Sequence, residues 1–180
     1  NRPTYIYPVV PALAATMARR AGHEVFWLDG IASGWSPAEF DRRLDEAAPD
    51  LVALETKTPV VSRHWAFIRA LKERCPRAAV ALVGDHVTAL PEESFANCPV
   101  DFVLTGGDHD FLLVNLLACC RRGEEGLELD PARLEPGVFW RDADGTVRNS
   151  GTFRLDHDLN AAPVIDRDLT QWRLYSEKNG

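Results

Sequence analysis

The chain has 180 residues, of which 46% are hydrophobic, and a formal net charge of −7. That length suits one domain with at most a short appendage, and the apolar content suffices for a core. The acidic balance argues against nucleic acid or an anionic membrane surface as partner, no apolar run is long enough to span a bilayer, and no signal peptide is visible.

The first residues, with Pro3 and Pro8, read as a loop. Tyr5 and Tyr7 alternate as on a strand, but the prolines oppose it. Leu13 and Met17 among alanines predict a helix from Pro11, ended by Arg19, Arg20 and Gly22. Residues 23–29 (HEVFWLD) predict a strand. Ser36-Pro37-Ala38-Glu39 predicts a capped helix start, with Phe40 and Leu44 on one face and an end near Pro49. A short buried strand follows at 51–54, then a loop at 55–59. A helix at 62–74 carries Trp65, Ile68 and Leu71 as its apolar stripe.

Residues 80–83 (VALV) predict a strand buried on both faces, as in a parallel sheet. Its run stops at Gly84, a loop takes 85–90, and Pro91-Glu92-Glu93 opens a helix. A strand is expected at 100–104 and a strongly apolar helix at 110–122. Residues 123–136 read as irregular. Residues 137–141 and 146–149, joined by Asp142-Ala143-Asp144-Gly145, predict a hairpin. From Thr152 the chain reads as an extended linker.

This alternation implies an α/β fold: a doubly wound parallel sheet with right-handed crossovers and helices on both faces, plus a C-terminal hairpin. The domain boundaries expected are 1–136 for the α/β domain, 137–150 for the hairpin appendage and 151–180 for the linker. The first strand of such a fold is normally central. It is expected either before Asn1 or, poorly formed, at 4–7.

In open parallel sheets ligands bind outside the carboxyl ends of the strands. Three such ends carry polar groups: Glu55, Thr56, Lys57 and Thr58; then Asp85, His86 and Thr88; then Asp108 and His109. Gly84 closes its strand where close ligand approach needs a glycine. Gly106 and Gly107 read the same way or as ordinary turn residues. Asp85 reads mainly as a helix cap. His86 reads equally as a packing residue or as a group stacking on a ligand. Lys57 reads as a surface lysine, with phosphate neutralisation as the alternative. Trp27 and Trp65 fall at core positions, and Trp35 reads as packing more than as cover for a flat ligand.

Gly-Asp-His occurs at 84–86 and again at 107–109. On neighbouring strands the pair would suit a divalent metal. The plainer reading is helix caps and solvated histidines. His23, His64 and His157 show no partner in the sequence and read as structural or exposed. Cys75, Cys98, Cys119 and Cys120 lack the spacing of a zinc or iron–sulfur site and read as reduced cytoplasmic thiols. No nucleophile elbow, Walker loop or dinucleotide fingerprint is present.

Tyr7-Pro8 before a helix, HEVFWLDG, Pro49-Asp50-Leu51-Val52, Gly84 with His86-Val87-Thr88-Ala89-Leu90-Pro91-Glu92-Glu93, Val100-Asp101-Phe102-Val103-Leu104 and Gly106 together resemble the N-terminal cobalamin-binding domain of B12-dependent radical SAM enzymes. Residues 155–175 resemble the lead-in to the radical SAM barrel. The resemblance implies a flavodoxin-like domain that holds cobalamin at its strand ends. By position the contacts would come from Glu55, Thr56, Lys57 and Thr58, from Gly84, Asp85, His86, Val87 and Thr88, and from Gly106, Gly107 and Asp108.

The family usually has two glycines where this chain has Val83-Gly84, a glycine–acid–glycine–acid run at 106–109, and a small hydroxyl residue at 55. Its cobalt-ligating histidine elsewhere lies in an Asp-x-His-x-x-Gly motif, which this chain lacks, so no ligating histidine is expected from that loop. The CxxxCxxC motif that holds a [4Fe–4S] cluster and SAM is also lacking. SAM and the cluster are therefore expected only in a downstream barrel of the same polypeptide, and this chain is expected to be its non-catalytic cofactor-binding part. Two rivals stand beside this: a flavodoxin-like interaction or regulatory module without a ligand, and a metal site on the two Gly-Asp-His loops.

Overall fold

Strand β2 (Ala79–Val83) is AVALV, and all five residues are buried. Small and branched apolar residues on both faces fit the inside of a parallel sheet and little else. In the computed structural model, which describes residues 5–179, β2 lies between β1 (Leu51–Glu55) and β3 (Phe102–Leu104), parallel to both. The register runs from Leu51 opposite Ala79 to Glu55 opposite Val83, so the two strands end level. The start of β2 is fixed from the side. The Asp101 carboxylate accepts the Val80 N–H at 2.7 Å and pairs with Lys72 at 2.6 Å.

Helical crossovers join these strands, as an α/β fold requires. Helix α4 (Val61–Arg74) runs between β1 and β2 and buries Val61, Ile68 and Leu71. Two short helices, α5 (Asp85–Ala89) and α6 (Pro91–Asn97), run between β2 and β3. Pro91 opens α6 with Glu92 and Glu93 in its first turn, as the sequence predicts. Helix α7 (His109–Cys119) follows β3 and buries Leu112, Leu113 and Leu116. The result is a Rossmann-like α/β fold with a mixed sheet.

Several expectations need correction. The hairpin β6 (Val138–Arg141) and β7 (Val147–Asn149) is no appendage. It extends the sheet, with β6 antiparallel to β3 and Val138 opposite Leu104. The apolar helix ends at Cys119. Cys120–Arg122 forms β4, paired with β5 (Leu127–Leu129) inside the stretch read as irregular. Residues 85–89 coil into a helix instead of a loop. Residues 23–29 lie outside helix and strand. A strand exists only with a partner, and among the described residues no strand pairs with this segment. Of the suggested first strand at 4–7, Thr4 lies outside the described residues and 5–7 form none.

The chain packs as two compact units: Asn1–Ala48 with Asp158–Gly180, and Pro49–His157. The first contains α1 (Val9–Arg20), α2 (Gly30–Ser33), α3 (Pro37–Ala47) and α8 (Arg173–Asn179), the last of these within the stretch read as linker. The predicted capping box on α3 is formed: Ser36 and Glu39 bond each other's backbone N–H. Tyr175 donates to Asp29 in the same unit. The second unit holds the sheet and all three candidate strand ends. Among the described residues, no helix is long and apolar enough to cross a membrane.

Candidate functional site

The carboxyl ends of β1, β2 and β3 meet through the chain's own polar groups. The Thr56 N–H donates to the Val83 carbonyl at 2.8 Å, continuing the β1–β2 ladder past Glu55. Gly84 then turns with φ +113°, and a Cβ there would lie 2.4 Å from the Thr56 carbonyl oxygen. Only glycine fits, because the β1 loop crosses directly over it. Thr88 links the second end to the third. Its hydroxyl donates to the Gly84 carbonyl at 2.9 Å and accepts the Gly106 N–H at 3.0 Å.

His86 is 5% exposed. Its Nδ1 lies 3.2 Å from the Thr58 hydroxyl, and its ring meets Trp65 edge to face at 6.1 Å. Glu93 reaches within 3.1 Å of Nε2, close enough for an ion pair but outside hydrogen-bond geometry. Of its two sequence readings, the geometry therefore favours packing. Val87 is fully buried. Asp85 is an exposed first-turn residue. Gly84 holds the cap position, so the capping role expected of Asp85 is unfilled. Lys57 and Thr58 are exposed at the rim, and Lys57 pairs loosely with Glu55 at 3.7 Å.

At the third end, the Thr105 N–H and hydroxyl both donate to the Gly137 carbonyl. Gly106 has φ +92°, and a Cβ there would meet the Phe153 ring at 2.7 Å. Gly107 is exposed, with only Leu155 near it at 3.5 Å. Asp108 is the N-cap of α7, but its side chain turns away from the helix to His157. His109 is 8% exposed with neither ring nitrogen bonded.

The structure thus brings all twelve sequence-predicted residues to one end of the sheet. It does not bring the two Gly-Asp-His loops into a metal site. Among the described residues no three His, Cys, Asp or Glu side chains group as ligands, and His86 is turned to Thr58 and Glu93. In the other unit, Arg43 lies over the Trp35 ring at 4.2 Å, which supports the packing reading of that tryptophan.

Two histidines set aside in the sequence do have partners. His64 Nδ1 bonds the buried Thr56 hydroxyl at 2.9 Å, and burial holds its pKa below the ordinary value. His157 stands between two carboxylates, with Nδ1 3.0 Å from Asp108 and Nε2 2.8 Å from Glu135, and stacks on Phe111 at 4.6 Å. Burial pulls its pKa down. The hydrogen bonds and charges of Glu135 and Asp108 outweigh that and hold it above the usual histidine value. These partners are 49 and 22 residues away, so no local pattern announces them.

No family model matches the chain. Over 168 residues, 93% of this chain and 35% of the relative, it is 23% identical to an uncharacterized methyltransferase of Pyrococcus horikoshii. The chain therefore spans about a third of the length of that curated relative.

Proposed function

We propose that this chain is the cobalamin-binding part of a larger radical SAM enzyme that transfers methyl groups. The observation that carries the reading is the convergence of three strand-end loops, tied by Thr56 and Thr88, around the segment from Gly84 to Glu93 that resembles cobalamin-binding domains. The distant likeness to an uncharacterized methyltransferase agrees with it. The rim fits such a group: Lys57, Thr58, Asp85 and Gly107 are exposed, and Leu90 and Leu155 add exposed apolar surface. Lys57 and Thr58 would donate hydrogen bonds to amide oxygens, while Leu90 and Leu155 would face apolar edges of the ring. Cobalamin would supply the methyl-carrying cobalt. The chain's own residues bind and orient it, and the SAM-cleaving chemistry belongs to a downstream barrel.

A second reading has its own support. The space that Gly84 and Gly106 leave is filled by the Thr56 carbonyl and by Phe153. A flavodoxin-like module that no longer binds cobalamin would look this way.

A visible-absorbance titration with hydroxocobalamin separates the two. A side chain at Gly84 would disturb the β1 loop, so the blocking variant belongs at Gly107, where a Cβ meets only ordinary contact. Saturable spectral change in the wild type, reduced about ten-fold in affinity by Gly107→Trp, is expected from the cobalamin reading. A folded chain that leaves the spectrum unchanged at any concentration refutes it for this chain.

A further inference from the structure

The segment 151–157 runs across the third strand end on two side-chain anchors. Phe153 lies against Gly106 and Gly137, where Cβ atoms would meet it at 2.7 and 2.8 Å. His157 is clasped by Asp108 and Glu135. Between the anchors the chain is exposed, and residues 152–157 make no backbone–backbone hydrogen bond among the described residues. Between Phe153 and His157, Arg154 and Asp156 make a loose internal contact at 3.6 Å. Such a segment opens at small cost when an anchor is lost.

We propose that residues 151–157 form a strap that closes over the Gly106–Asp108 loop and is latched by the charge on His157. A neutral imidazole has one N–H, and only the imidazolium can donate to two carboxylates at once. The groups facing the ring are Asp108 at the α7 cap, Glu135 from the loop before β6, and Phe111 from α7, which is uncharged. The folded-state pKa of His157 is raised, so the latch is complete below the ordinary histidine value of about 6.5. It loosens as the pH rises through the raised value, when one carboxylate is left facing a bare nitrogen. The strap covers the ledge that a bound cofactor tail would need, so its role as a gate rests on the cobalamin reading. Its opening does not.

The test uses the full chain. Cleavage by trypsin after Arg154, in the middle of the strap, is followed by mass spectrometry from pH 6 to 9 and scaled to a free peptide at each pH. Exchange of the Gly106 amide, which is bonded to Thr88 beneath Phe153, is followed by NMR alongside the ring titration of His157. Both rates should rise about ten-fold in step with that titration, and His157→Gln should be fast at every pH. Should that variant fail to fold, Glu135→Gln should move titration and opening together to lower pH. Scaled rates that stay flat through the His157 titration, or a folded His157→Gln as slow as wild type, overturn the strap. Opening that follows the titration in a chain that never changes the hydroxocobalamin spectrum upholds the strap and removes its cofactor.

Discussion

At Gly84 two demands meet in one residue. Its φ of +113° is strained for any L side chain, and the Thr56 carbonyl already occupies the Cβ position at 2.4 Å. That carbonyl cannot move, because the Thr56 N–H is bonded to Val83 and the Thr56 hydroxyl to His64. Gly84→Ala should therefore destabilise the unit by about 3 kcal/mol. Gly145 is the comparison: its φ is +82°, yet nothing lies within 4 Å of a Cβ there. Gly145→Ala should cost about 1 kcal/mol, the conformational strain alone. Denaturant melts of both variants check this. Equal losses would mean that the close approach at Gly84 contributes nothing. The sequence marks Gly84 as a place where something comes close. It does not say that the neighbour is the chain itself, because the β1 loop that fills the space lies nearly thirty residues away.

Among the elements, those with local signals were legible. The capping box of α3, Pro91 at the start of α6 and the Asp-Gly turn between β6 and β7 each act within a few residues, and each is where its pattern put it. Elements that depend on distant partners were not. Residues 23–29 have strand composition but no paired neighbour among the described strands. β4 follows α7 without a break, with only Cys120 prolonging the apolar run, and what makes it a strand is Leu127–Leu129 across the turn. Helix α7 shows the reverse case, where composition alone decides. Apolar residues surround its axis, as in a helix covered on more than one side, and Leu116 is fully buried. Leu116→Ala should cost about 3 kcal/mol through lost burial and an unfilled cavity. Leu90→Ala removes a side chain that is 53% exposed and should cost less than about 0.5 kcal/mol. Thermal melts that ranked the two the other way would place α7 outside the core.

On the scale of the whole molecule, the strand-end site was legible because topology, not detail, positions it: parallel strands end together whatever side chains they carry. Its closure was not legible, since Phe153 and His157 reach it from one distant segment and Glu135 from another. The cysteines offer a chain-wide test of the same packing. All four are free. Burial pushes the thiols of Cys98 and Cys120 up to about 11 and raises Cys119 as well. At pH 8 a thiol of pKa 11 is about 0.1% thiolate, against about a quarter for an unfolded cysteine. Labelling of Cys98 and Cys120 by an aromatic disulfide at pH 8 should therefore be at least about a hundred-fold slower in the native chain than in concentrated guanidinium. Cys98 caps the C-terminal end of α6 and Cys120 begins β4, so their reaction reports opening of the sheet unit. Native labelling as fast as that of the unfolded chain would show that this unit is not held closed in solution.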